Sequence, residues 1–254
     1  MKPVKENPHK DHRSRVKERF RRFGLESFAP HEVLELMLFY AVPQKDTNEL
    51  AHRLLDRFGG TLGGVLHAEM HELCEVEGVG EHVATLLKLW LPAASCALTE
   101  ENRRENKIYN RLDSIGEYFV RRYIGETSEV VYLMLLDNRH ALIDCVRVHE
   151  GSVNSVGITP RRLLELAYRA HASVAVLAHN HPSGIAIPSG EDLCTTISLR
   201  EAFESMGVTL LEHILVAGGR YTPVLLHSEK SLLSAVDRRE FYGDALSREE
   251  VTDP

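Results

Sequence analysis

The 254-residue sequence predicts an α/β (α+β) fold, a mixed sheet flanked by helices, preceded by a smaller all-helical domain. Three observations lead there. Residues 25–98 place apolar side chains at helical spacing. Residues 113–230 alternate strand-length apolar runs with helical stretches in the order β-β-α-β-α-β-β. Between them, "LTEENRRENKIYNRLDS" is charged and has no apolar face, so residues 99–112 read as a linker.

Residues 1–24 are rich in Lys, Arg, Pro and His. They read as a basic tail leading into a helix; the sharper alternative is an arm that touches nucleic acid. "PHEVLELMLFYAV" then sets Val33, Leu34, Leu36, Met37 and Leu38 at helix-like intervals. In "DTNELAHRLLDRFGG", Asp46 or Thr47 is the N-cap candidate and Gly59 the stop. "MHELCEVEGVGEHVATLLKLWLPAA" is a short helix, a Gly78-Val79-Gly80 turn and a second helix, and it resembles a helix-hairpin-helix. A phosphate can sit on the free N–H groups at such a helix start, which makes Gly78 and Gly80 nucleic-acid candidates. Hairpins of this type usually carry Lys or Arg after the glycines. Here Glu81 and His82 follow, and a purely structural hairpin is the competing reading.

After the linker, "SIGEYFVRRYIG" is an amphipathic helix. "EVVYLMLLD" is β-branched and of strand length, "NRH" turns the chain, and "ALIDCVRVHEG" returns as a strand. "TPRRLLELAYRAHA" is a helix with Pro160 near its first turn. "SVAVLAHNH" is a continuous apolar run, as in a buried strand. "SGEDLCTTISLREAFESMG" is a helix ending at Gly207; "VTLLEHILVAG" and "RYTPVLLH" are two further strands, and residues 231–254 form a tail.

Composition narrows the function classes. A net charge of −7 argues against a general polyanion binder. No apolar run approaches the roughly 20 residues of a membrane span. The basic, polar N-terminus lacks the apolar core of a secretory signal. Cys74, Cys96, Cys145 and Cys194 form no C-x-x-C pair, so neither a cysteine zinc site nor a disulfide framework is indicated. A cytoplasmic location is expected.

The chemistry concentrates in "LAHNHPSGIAIPSGEDL", Leu177 to Leu193. On a strand, residues i and i+2 point the same way, so His179 and His181 project together from a strand end. Two imidazoles suit Zn²⁺, and a carboxylate from the next element, Asp192, completes three ligands with one position open. Pro182 and Gly184 fit the intervening turn. The plainer alternative is that Ser189 and Asp192 form a capping box and that Asp192 answers the helix dipole.

The whole string, H-x-H-P-x-G, a spacer, then S-x-x-D, resembles the JAMM signature of the JAB1/MPN/Mov34 metallopeptidase superfamily. "AHNHPSG…PSGEDL" looks like the bacterial RadC family, whose members also carry an N-terminal helix-hairpin-helix domain. The likeness spans about residues 14 to 230. It implies an MPN/JAB-like fold with cytidine-deaminase-like layering. It also implies a zinc-dependent hydrolase acting on an amide or isopeptide bond, with a protein or peptide as substrate. The superfamily's proton-shuttling glutamate stands at the start of the first core strand. The matching residue is Glu129; Glu126, Glu150 and Glu165 are the alternatives. The motif serine, here Ser189, would hold water or a developing oxyanion, in competition with its capping role. One departure is visible: RadC-like chains usually have "HPRE" where this one has Thr159-Pro160-Arg161-Arg162. Two other readings stand beside the hydrolase. One is a DNA-binding or DNA-repair accessory protein that contacts DNA through the hairpin domain; the other is a scaffold without turnover.

Overall fold

The computed structural model describes residues 8–43, 46–104, 107–151, 159–226 and 241–242. The chain divides into two compact units, residues 1–93 and 94–254.

The first unit is helical: α1 (Pro8–Phe23), α2 (Pro30–Ala41), α3 (Asn48–Arg57), α4 (Leu62–His67), α5 (Met70–Cys74) and the start of α6 (Glu81–Arg104). Leu34 and Leu38 of α2 meet Leu50 and Leu54 of α3 and Leu87 of α6 in one apolar core. The stretch read as a basic tail is the helix α1. Among its described side chains one apolar residue, Val16, is buried and packs on Leu36 and Phe39. Its cations do the rest. The Arg13 guanidinium lies 4.7 Å from the Phe39 ring centroid and donates to the carbonyls of Val42 and Pro43. At the α3 start, Asp46 Oδ1 accepts from the Asn48 N–H at 2.9 Å, while Thr47 makes no side-chain cap. The boundary at residues 93 and 94 falls beside Pro92, inside α6, where proline removes one helix hydrogen bond.

The predicted linker is occupied from both ends. α6 runs to Arg104, and Tyr109 is fully buried with its N–H on the His140 carbonyl. The rest of the second unit follows as α7 (Leu112–Arg122), β1 (Val130–Leu136), β2 (Leu142–Glu150), α8 (Pro160–Arg169), β3 (Val174–Asn180), α9 (Gly190–Ser205), β4 (Thr209–Ala217) and β5 (Arg220–Pro223). The five strands form one mixed sheet in the order β2-β1-β3-β4-β5; only β3 and β4 pair in parallel. That pairing needs a crossover, which α9 supplies.

Alternation along the strands sorts the core into two layers. Val130, Tyr132 and Met134 pack with Ile115 and Phe119 of α7. Val131, Leu133, Ala175 and Leu177 face the other way, against Leu163 of α8 and Leu199 and Phe203 of α9. The expected α+β architecture is therefore the observed one. Among the described residues, no helix is long and apolar enough to cross a membrane.

Candidate metal centre

β1 and β3 run antiparallel, with Val131 opposite His179. Glu129 lies one residue before β1 and His181 one residue after β3. Glu129, His179 and His181 meet at that end of the two strands. One ligand atom from each lies within 4.8 Å of the others. His181 stands one residue past β3. Its N–H bonds the Val216 carbonyl of β4 at 2.9 Å, and its Nδ1 donates to the Ile185 carbonyl at 3.0 Å. Gly184, at φ +79°, makes the turn that brings that carbonyl back.

Asn180, between the two histidines, points to the opposite side. Its Oδ1 accepts from the Val130 N–H at 2.7 Å and its Nδ2 donates to the Ser128 carbonyl at 3.0 Å. These bonds bracket Glu129 and hold its backbone against the histidine strand.

Asp192 sits at the third position of α9, and it serves as both cap and neighbour of the histidines. Its Oδ2 accepts from the Ser189 N–H at 2.8 Å and from the Ser189 hydroxyl at 2.6 Å, while Ser189 Oγ accepts from the Asp192 N–H at 3.0 Å. That is a full capping box. Its Oδ1 stands 3.6 Å from His179 Nε2. Its two oxygens thus face different partners, Oδ2 the helix start and Oδ1 the His179 ring.

Two imidazoles with carboxylates beside them are a donor set of the kind that binds zinc. Two ligand atoms at zinc distances, seen across a tetrahedral angle, are roughly 3.3 to 3.6 Å apart. His179 Nε2 and His181 Nε2 are 3.1 Å apart, close to that range, and Asp192 Oδ1 is 3.6 Å from His179 Nε2. Burial pushes the His179 pKa down to about 4; the Asp192 carboxylate pulls it up and His181 pushes it down. A ring so placed is neutral near pH 7, the form that binds metal.

The rival glutamates are engaged elsewhere. Glu126 accepts from the Tyr132 hydroxyl at 3.1 Å, on the α7 side of the sheet. Glu150 accepts from Ser128 Oγ at 2.9 Å and pairs with Arg147 at 3.3 Å. Glu165 pairs with Arg169 along α8. Thr159 caps α8 by accepting from the Arg162 N–H, and Pro160 occupies the first turn. At the hairpin, Gly78 adopts φ +93° between α5 and α6, with Glu77 and Glu81 exposed beside it.

Two buried residues near the site carried no sequence signal. His213 of β4 has its Nε2 2.7 Å from His179 Nδ1 and its Nδ1 2.6 Å from Thr196 Oγ1. Thr196 donates to the Asp192 carbonyl at 2.5 Å. Burial drives the His213 pKa well below its ordinary value, helped by the two neighbouring imidazoles.

Next to His213 lies a buried carboxylate. Glu212 Oε1 accepts from the N–H groups of His213 and Leu225, and Oε2 from the Tyr242 hydroxyl at 2.6 Å. Desolvation nonetheless raises its pKa from 4.5 to about 7, against the pull of those bonds. The folded state holds this proton more tightly than the unfolded chain. The associated stability is present below about pH 4.5 and is lost as pH rises through about 7. Glu212→Gln keeps an acceptor for both N–H groups and cannot ionise. Relative to wild type it is expected to gain on the order of 3 kcal/mol between those pH values. Denaturant unfolding of both proteins across this range checks it. Histidine contributions cancel in the difference, and a pH-independent difference would refute the shift.

Residues 109–229 match the RadC-like JAB domain, and residues 7–85 match the UPF0758 N-terminal domain. The chain is 35% identical over 207 residues to a UPF0758 protein of Ruegeria pomeroyi, covering 82% of this chain and 92% of that one. It is 35% identical over 205 residues to a UPF0758 protein of Rhodobacter capsulatus, covering 81% and 95%. A UPF0758 protein of Fusobacterium nucleatum is 29% identical over 225 residues, covering 86% and 96%. With both domains matched in order and a fold of the metallohydrolase type around His179 and His181, the chain belongs to the UPF0758 (RadC) family.

Proposed function

We propose that the second unit is a zinc-dependent hydrolase of amide bonds, resembling the JAMM metallopeptidases and isopeptidases, with a protein or peptide as substrate. The supporting observation is convergence. His179, His181 and Asp192, whose Oδ1 stands 3.6 Å from His179 Nε2, adjoin Glu129, whose carboxylate lies within 4.8 Å of a ligand atom of each histidine. The first three would hold the metal and leave one position open, the pattern of a catalytic rather than structural site. Zinc, when bound, supplies Lewis acidity for a carbonyl oxygen and makes water a stronger acid.

Glu129 is half-buried at the start of β1, within reach of solvent. It takes the proton from water and delivers it to the leaving nitrogen. Asn180 keeps it in place through the backbone on either side. Ser189 spends its hydroxyl hydrogen on Asp192, so its contribution is to hold that carboxylate in orientation. Among the described residues Glu129 is the acid whose ligand atom lies within 4.8 Å of both histidines, and Asp192 is assigned as the ligand on the resemblance to the JAMM pattern. A nucleic-acid role for the first unit draws little support from the hairpin, since Glu77 and Glu81 flank the turn where phosphate would approach.

The test is elemental analysis of the full chain purified without chelator. About one zinc per chain is expected. Absence of metal, or metal unchanged by His179→Ala, would overturn the reading.

A further inference from the structure

The hydrogen bonds behind His179 determine where its proton sits. A carbonyl oxygen carries no hydrogen, so the 2.5 Å contact between Thr196 Oγ1 and the Asp192 carbonyl consumes the one hydroxyl hydrogen. The proton in the 2.6 Å contact between Thr196 Oγ1 and His213 Nδ1 must then come from the ring. A neutral imidazole carries one proton, so His213 Nε2 is a bare acceptor. It lies 2.7 Å from His179 Nδ1, which therefore bears the hydrogen and leaves His179 Nε2 bare. From the other direction, the Ile185 carbonyl places the His181 proton on Nδ1 and leaves that Nε2 bare too. Two lone pairs then face each other at 3.1 Å, an arrangement that a cation between them relieves.

We propose that Thr196 and His213 are positioning residues, a proton-orienting relay that fixes His179 in the tautomer whose Nε2 can ligate a metal. The proposal rests on the zinc reading above and extends it to residues that touch no metal. His179, Thr196 and His213 are all fully buried, so water cannot substitute for a missing partner. The relay is also closed on itself. Asp192 offers its carboxylate to the site and its carbonyl, one helical turn from Thr196, to the far end of the chain. Outer partners of this kind, which set the ring tautomer of a ligand, typically change metal affinity by about 10- to 100-fold when removed.

Two measurements on the full-length protein test this. The first is the tautomer of His179 in the metal-free wild type, read from ring-nitrogen shifts in long-range ¹H–¹⁵N spectra. Protonation at Nδ1 is expected; protonation at Nε2 overturns the relay, whether or not the protein binds metal. The second is zinc affinity, by competition with a chromophoric chelator, for wild type, Thr196→Val, Thr196→Ser and His213→Leu. Valine matches threonine in shape but cannot accept from His213, which frees that ring to turn its proton toward His179. Thr196→Val and His213→Leu are expected to weaken zinc binding about 10- to 100-fold. Thr196→Ser, which restores the hydroxyl, is expected to recover most of it. Equal affinities for wild type and Thr196→Val overturn the proposal. Should His213→Leu fail to fold, the near-isosteric pair at residue 196 and the wild-type spectrum still decide. A wild type that binds no zinc refutes the hydrolase reading, while the tautomer measurement continues to judge the relay.

Discussion

Glu129→Gln is expected to lower turnover of an amide substrate by about 10² to 10⁴-fold while leaving zinc content at the wild-type level. Glutamine keeps the length and hydrogen-bonding reach of the side chain but cannot take a proton. Glu129 is not one of the three proposed ligands, so the metal should remain. Glu150→Gln is the control. Its carboxylate already bonds Ser128 and pairs with Arg147, and it should have a much smaller effect. Both variants, assayed for zinc and for rate on one substrate, settle the placement. Loss of activity in Glu150→Gln with none in Glu129→Gln would move the base; loss of zinc in Glu129→Gln would make it a ligand instead.

Asp192→Ala should differ from both by losing metal as well as rate. The substitution removes one of three protein donors, so zinc affinity should fall by more than the roughly 10- to 100-fold typical of outer-shell changes. It also leaves the Ser189 N–H and hydroxyl without their acceptor at the start of α9. Loss of such a cap costs on the order of 1 kcal/mol. Unfolding of the metal-free variant isolates that smaller effect from the loss of metal. Full zinc occupancy in Asp192→Ala, with only the stability change, would reduce Asp192 to a helix cap.

These two outcomes bear on residues of unequal visibility in the sequence. The His-x-His pair was legible because strand alternation is local: any strand through residues 174–181 puts both rings on one side. The Ser189–Asp192 box was legible for the same reason, being a four-residue pattern. All five strands of the sheet and the helices α7, α8 and α9 could be read from apolar periodicity. α1 could not be read in this way. Among its described side chains only Val16 is buried, and its other attachments are cations laid over aromatic rings or bonded to carbonyls and carboxylates, so its composition looks like that of a solvated tail. Glu129 was reachable only through the resemblance to a family with a known strand order.

His213, Thr196 and Asn180 had no local signature at all. Asn180 bonds Val130 from 50 residues away, and His179 meets His213 across 34. Those contacts exist because β3 pairs antiparallel with β1 on one side and parallel with β4 on the other. The parallel pairing forces the chain through α9, which delivers Asp192 and Thr196 to the same strand end. The sequence alone pointed to His179, His181 and Asp192 as candidate ligands, since that reading uses residue type and short-range spacing. Which nitrogen of His179 faces His213, and which carboxylate oxygen faces the ring, was decided only by the tertiary structure, because each depends on a partner brought in by the sheet.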